Sequence, residues 1–288
     1  LGSSVGSGAT AGQVITIEGR RSGCTAGAGC TGTSYTTLAT WTVNPQPTGP
    51  SGGTKSPNVS NICTGTTVSL SGTTPGVDGF GCSDDYIWLI NGSSQGAYTL
   101  GSSVGGSATA GQVITIQGRR NNCTSGSGCT GTSYTTLATW TVNAQPVSGT
   151  LTKTPNTSSV CEGNNVSATA TAGSGGAGTI VDELDYRTDD GTGFTAWSAY
   201  TSSTNIPTTG LVAIEIRTYR TSSISGCNTS STNTVSWTVS PQPVSGTLTK
   251  SPNTTNVCEG TSVSATLSAG SGGGGTVVDV LEYRFNGT

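Results

Sequence analysis

The chain repeats itself at the spacing of one small β-domain, and nothing else in the sequence limits its fold so strongly. Trp41, Trp140 and Trp237 recur with Cys63, Cys161 and Cys258, and with Pro57, Pro155 and Pro252, at intervals of 97 to 99 residues. A fixed period of that size builds an array of like domains instead of one large core. Residues 1–44 and 100–143 differ at only seven of 44 positions. Reach and multivalency call for such near duplicates in series, whereas chemistry at a single centre does not.

Gln-Pro dipeptides punctuate the array at Gln46-Pro47, Gln145-Pro146 and Gln242-Pro243. Cutting there gives four segments. Residues 1–44 are the C-terminal half of a domain, 45–143 and 144–240 are whole domains, and 241–288 are the N-terminal half of another. The sequence therefore reads as a window on a longer polypeptide. Proline fixes φ and favours an extended chain, so the junctions are expected to act as short, semi-rigid spacers.

Inside each unit the apolar residues alternate with period two, as in strands buried on one face. Val235, Trp237 and Val239 alternate with Ser236 and Thr238; Ile214 and Ile216 alternate with Glu215 and Arg217; Leu184 and Tyr186 flank Asp185. Asn91-Gly92, Asp190-Gly191 and Asn286-Gly287 follow central strands and suit tight hairpin turns. The 45 glycines and the 9% of charged residues fit short strands with many turns and argue against helix. About seven strands per unit give an all-β fold of tandem immunoglobulin-like antiparallel β-sandwiches, about 97 residues each. Trp41, Trp140 and Trp237 are the expected core anchors.

The same composition bounds function. A net charge of −3 and eleven scattered Lys and Arg residues argue against a nucleic-acid partner. No apolar run approaches the ~20 residues of a membrane helix, so this segment is not expected to insert into a bilayer. Nine cysteines with no histidine point to disulfides in an oxidising compartment and not to a metal site, and hence to an extracellular or cell-surface protein. Aligned on the tryptophans, the repeats pair Cys161 with Cys227 and Cys63 with Cys129, which leaves Cys82 with Cys123. Cys24, Cys30 and Cys258 would find partners only in the missing halves of their domains.

Val160-Cys161-Glu162-Gly163 with Val166-Ser167-Ala168-Thr169, its copy Val257-Cys258-Glu259-Gly260 with Val263-Ser264-Ala265-Thr266, and the late Trp-Thr-Val resemble a known class of repeat. They are similar to the Ig-like or PKD-like repeats of giant Bacteroidota surface proteins, including gliding-motility adhesins and type IX-secreted filament proteins. The resemblance implies a structural segment of a filament or adhesin, with neighbouring repeats, other copies and surface glycans as partners. Its motifs carry no active site and imply no cofactor.

Other candidates weigh less. Without histidine, Ser-His-Asp and Cys-His catalysis are impossible, and no enzyme is expected. Asp182, Glu183 and Asp185 could be offered as a glycosidase pair, but strand neighbours face opposite ways, so Glu183 and Asp185 belong to a solvated face. Asp84 with Asp85, and Asp189 with Asp190, could supply oxygen ligands to calcium, although turn aspartates usually serve the turn itself. Arg20-Arg21 and Arg119-Arg120 suit cross-strand ion pairs. Trp197 has no counterpart in the neighbouring repeat and leaves two readings, an extra core residue or an exposed ring that stacks on a sugar. That second reading supports an alternative function, a carbohydrate-binding accessory array of a secreted enzyme.

Overall fold

In the computed structural model, residues 4–23, 29, 31–224 and 226–285 are described. They contain strands and no helix, and the chain divides into two compact units, Leu1–Ala144 and Gln145–Thr288. Cys24, Cys30 and Asn286-Gly287 lie outside the described residues.

The first unit opens with an antiparallel hairpin, β1 (Val14–Gly19) and β2 (Thr36–Thr42), in which Ile15 sits opposite Trp41. Seven strands follow: β3 (Thr54–Ser56), β4 (Asn61–Cys63), β5 (Ser69–Ser71), β6 (Ser83–Ile90), β7 (Ser93–Ala97), β8 (Val113–Asn121) and β9 (Thr135–Asn143). β3 pairs with β5, and a five-stranded sheet runs in the order β4-β9-β8-β6-β7. The inward residues of both sheets, Ile62, Leu70, Ile114, Ile116, Trp140 and Val142, form one buried cluster. The alternation read from the sequence is what puts them on a common face. Asn91 and Gly92, with φ of 48° and 79°, make the two-residue turn between β6 and β7.

The second unit repeats this plan with β10 (Leu151–Thr154), β11 (Ser159–Cys161), β12 (Asn165–Ala170), β13 (Ile180–Asp189), β14 (Ser198–Ala199), β15 (Ile206–Pro207), β16 (Ala213–Ser222) and β17 (Asn233–Ser240). Sheets β10-β12-β15 and β11-β17-β16-β13-β14 enclose Val166, Ala168, Ile214, Ile216, Trp237 and Val239. A hairpin of β18 (Thr247–Ser251) and β19 (Ser264–Ser268) closes the unit. Two features depart from the sequence reading. β4 pairs with β9, and β11 with β17, in parallel, so the sheets are not wholly antiparallel. Asp190-Gly191 belongs to a four-residue loop closed at Asp189 and Phe194, because the Asp189 carboxylate accepts from both Gly191 N–H and Gly193 N–H.

The core tryptophan is locked by the segment that recurs with it. The Trp140 indole N–H donates to the Pro57 carbonyl at 3.0 Å, while Lys55 lies 4.8 Å over the ring and donates to the Thr139 carbonyl at 2.8 Å. Trp237 is held in the same way by Pro155 and Lys153. Partial burial against the rings lowers the pKa of both lysines. Trp41 corrects the expectation that all three tryptophans are core anchors. It is 52% exposed, against 0% for Trp140 and 1% for Trp237. Residues 1–44 contain no Lys-x-Pro segment of the kind that covers Trp140 and Trp237.

A tyrosine fastens each sandwich further. Tyr200 Oη accepts from the Ala168 N–H at 3.0 Å and donates to the Thr204 carbonyl at 2.6 Å; Tyr98 does the same for Leu70 and Ser102. Burial pushes the Tyr200 hydroxyl pKa up. Tyr200→Phe removes the acceptor from a buried N–H, so the unit should lose about 1–3 kcal/mol in urea unfolding followed by circular dichroism. A loss below a few tenths of a kcal/mol would show that water replaces the hydroxyl.

Candidate functional site

The side chains with chemistry to offer gather on the two five-stranded sheets, and strand register decides what each one meets. In the second unit β13 and β16 place Asp185 opposite Arg217 and Arg187 opposite Glu215. Arg217 binds Asp185 at 2.9 Å, as the alternation of these strands leads one to expect, and Arg187 binds Glu215 at 2.6 Å. Leu184, the residue before Asp185, packs on the core. In the first unit Arg119 binds Asp85 at 2.8 Å and Arg120 binds Asp84 at 3.1 Å, so this arginine pair makes cross-strand ion pairs. Such pairs report register more than stability.

One of these ties recurs in each repeat. Asp84 accepts from the Gly76 N–H, Asp182 from Gly173 and Asp279 from Gly270, and Arg120 and Arg220 close the first two at 3.1 and 2.7 Å. Glycine is required at the position: a Cβ on Gly173 would fall 2.3 Å from the Val147 carbonyl oxygen. Asp84 and Asp85 therefore lie on a strand and face arginines, not in a turn. Asp190 Oδ1 accepts from the N–H and hydroxyl of Thr192, which lowers its pKa, so Asp189 and Asp190 are both occupied by their own loop. Asp182 and Asp185 are likewise committed to Arg220 and Arg217. No group of three or more acidic, cysteine or histidine side chains among the described residues could hold a metal.

Trp197 takes a place that neither sequence reading gave it. It stands outside the core cluster, over the ion-paired face, with the Arg217 guanidinium 4.0 Å and that of Arg187 4.5 Å from its ring centroid. Arg187 also lies 4.3 Å over Phe194, and Arg217 lies 5.1 Å over Tyr219. Aromatic rings and guanidinium groups thus alternate across the sheet, each cation held by a carboxylate and by π-faces. Phe194 remains 39% exposed, which leaves this ladder half open to solvent. In the first unit Arg119 lies 4.3 Å over Tyr134, whose hydroxyl donates to Asp85; burial and that bond raise the tyrosine pKa.

The cysteines follow the fold and not the alignment. Cys82 and Cys123 are bonded, joining the start of β6 to the segment after β8. Cys129 and Cys161 carry free thiols, so neither Cys63 with Cys129 nor Cys161 with Cys227 is formed. The reason is distance. Cys63 is aligned with Asn143 at the end of β9, whereas Cys129 precedes the start of that strand, and nine residues of strand span about 27 Å. Cys161, aligned with Ser240 at the end of β17, stands in the same relation to Cys227. A disulfide bridges Cα atoms no more than ~7 Å apart. Cys63 and Cys227 are themselves in disulfide linkage.

An open groove in the first unit is lined by Val5, Ile15, Ile17, Trp41 and Phe80. Its apolar wall is the β1-β2 face whose counterparts Ile114, Ile116 and Trp140 are fully buried in the next repeat. The groove is thus an uncovered core face and not a ligand pocket built for the purpose. Sequence reasoning missed Lys55 and Lys153 as partners of the tryptophans. The signal was present, since Lys55, Lys153 and Lys250 each stand two residues before a repeat proline. No protein-family profile and no curated protein matches the chain. The Cys82–Cys123 bridge points to an oxidising compartment, and no helix among the described residues is long and apolar enough to cross a membrane.

Proposed function

We propose that the chain is a structural repeat segment of a long extracellular filament or surface adhesin, in which tandem immunoglobulin-like sandwiches space and present adhesive regions. One observation carries this reading. The side chains that could do chemistry are committed to fastening each repeat, and the same fastenings recur: lysine and proline on the core tryptophan, aspartate on glycine and arginine, and a tyrosine hydroxyl on two backbone groups. A unit that spends its polar groups on its own rigidity, and is copied with few changes, suits bearing length. The resemblance to Bacteroidota adhesin repeats supports cell-surface placement, with neighbouring repeats and other copies as partners. The test is small-angle scattering on the chain and on chains with added repeats. The maximum dimension should grow by about one domain length per repeat, and a constant, compact dimension would refute a spacer.

The half-open ladder around Trp197 and Phe194 favours the second reading, a carbohydrate-binding accessory array, because an aromatic ring flanked by charged hydrogen-bonding groups is a platform on which a sugar can stack. A spacer shows no retention on immobilised polysaccharides, with or without Trp197→Ala. Retention of the native chain that falls at least tenfold in Trp197→Ala would establish glycan binding in its place.

A further inference from the structure

The proline that recurs with the core tryptophan opens a second recurring pattern. Pro57-Asn58-Val59-Ser60, Pro155-Asn156-Thr157-Ser158 and Pro252-Asn253-Thr254-Thr255 each carry Asn-x-Ser/Thr directly after it, at intervals of 98 and 97 residues. That triplet is the acceptor sequence for N-linked glycosylation and belongs on the surface of a secreted chain. Serine and threonine are abundant here, so triplets also arise by chance. Asn91, Asn122, Asn165 and Asn228 head four more, and each of these is missing from the equivalent position of at least one other repeat. Asn286 heads a further one, outside the described residues. The triplet after the repeat proline is present in all three copies of its segment.

The fold sets these three asparagines apart. Asn58 lies in the bend between β3 and β4, Asn156 in the bend between β10 and β11, and Asn253 just after β18, all outside strands and all exposed. Among the described residues none of their carboxamides hydrogen-bonds to the protein, and the Ser60 and Ser158 hydroxyls are equally unengaged and exposed. The backbone on either side is tied down. The Pro57 carbonyl accepts from the Trp140 indole N–H at 3.0 Å and the Ser60 carbonyl from the Thr141 N–H at 2.8 Å; Trp237 and Thr238 hold Pro155 and Ser158 in the same way, both at 3.0 Å. The core tryptophan and its neighbour thus fix the ends of the triplet and leave the asparagine to solvent. Three of the other triplets are tied into the fold. Asn91 Oδ1 accepts from the Val113 N–H at 2.8 Å, Asn122 donates to the Ser83 hydroxyl beside the Cys82–Cys123 bridge, and Asn165 lies within β12 opposite Pro207.

We propose that Asn58, Asn156 and Asn253 are N-glycosylation sites, so that each repeat carries an oligosaccharide on the same loop. The donor is an oligosaccharide joined through phosphate to a polyprenol. In the transfer the carboxamide nitrogen bonds to C1 of the first sugar, the bond from C1 to the phosphate oxygen breaks, the lipid phosphate leaves, and the nitrogen gives up one proton. The hydroxyl two residues on is the group by which the transferase recognises the triplet. The sugar adds without breaking a contact of the sandwich, because these carboxamides have none to lose. It also supplies hydration of which the sequence is short, since 9% of residues are charged and the net charge is −3, too little to hold exposed faces apart by repulsion. The reaction belongs to the same oxidising, secretory setting to which the Cys82–Cys123 bridge points. Glycans on this loop suit a spacer and a glycan binder alike.

The test supplies the folded, unglycosylated chain to a purified oligosaccharyltransferase that accepts Asn-x-Ser/Thr, with a lipid-linked oligosaccharide as donor. Occupancy is read by mass spectrometry after peptide-N-glycosidase treatment in heavy-oxygen water, which marks each formerly glycosylated asparagine as a labelled aspartate. Asn58, Asn156 and Asn253 should be modified about fivefold more than Asn91, whose carboxamide must first give up a hydrogen bond. In the reduced, alkylated and denatured chain that preference should vanish. Ser60→Ala should abolish modification at Asn58 alone and Ser158→Ala at Asn156 alone, with the circular dichroism spectrum unchanged, the sign that the chain still folds. A folded chain left unmodified at Asn58 and Asn156, or modified there no more than at Asn91, would overturn the proposal.

Discussion

Trp237→Ala should destabilise the unit Gln145–Thr288 by about 3–5 kcal/mol, the range for deleting a large aromatic side chain from a packed core. The indole is 1% exposed and touches both sheets of its sandwich, so no surface shift can close the space it leaves. The substitution also leaves the Pro155 carbonyl without its donor and takes away the ring under the Lys153 ammonium. Domains of this size are stable by about 5–15 kcal/mol, so the loss removes a large part of the whole. Urea unfolding of the full chain followed by circular dichroism should show one transition at lower urea and the other, from the unit containing Trp140, in place. A shift worth less than about 1 kcal/mol would mean that the tryptophan does not anchor the core. Trp41→Ala serves as the internal contrast, since a ring 52% exposed has far less burial to lose.

Removing the Cys82–Cys123 bridge should cost the unit Leu1–Ala144 a comparable amount. The two cysteines are 41 residues apart, and closing a loop of that length in the unfolded chain is worth about 4 kcal/mol from loop entropy alone. The bridge ties the segment leading into β6 to the one leaving β8, where Arg120 also reaches the Asp78 carbonyl and binds Asp84. The double variant Cys82→Ser with Cys123→Ser isolates this bond without disturbing the other cysteines. Its urea midpoint should fall while the transition of the second unit stays unchanged. An unshifted midpoint would show that the ion pairs and the core hold this end without covalent help.

The period of 97 to 99 residues and the period-two alternation of apolar side chains made the architecture legible before any coordinates. Alternation assigns each side chain to a face, because a strand offers only two. That is why Ile214, Ile216 and Trp237 could be placed inside, and why Arg217 could be placed opposite a carboxylate of β13. Asn91-Gly92 was readable for a similar reason, since a two-residue turn with positive φ at both positions favours those residue types.

Tertiary structure decided what depends on distance across the domain. An alignment shows that Cys161 and Cys227 recur with the tryptophan, but it does not show at which end of a sandwich each one stands. The parallel pairing of β11 with β17 carries Cys161 to the end of the last strand, a strand's length from the loop that bears Cys227. The parallel pairs themselves arise where the chain crosses from one sheet to the other, from β3 to β4 and from β10 to β11. Trp197 had no repeat counterpart to reveal its role, and its stacking on Arg187 and Arg217 required two strands and a loop to meet. Local periodicity fixes which way a side chain points, because it acts over two or three residues. Which groups then meet is settled by packing between elements far apart in the chain.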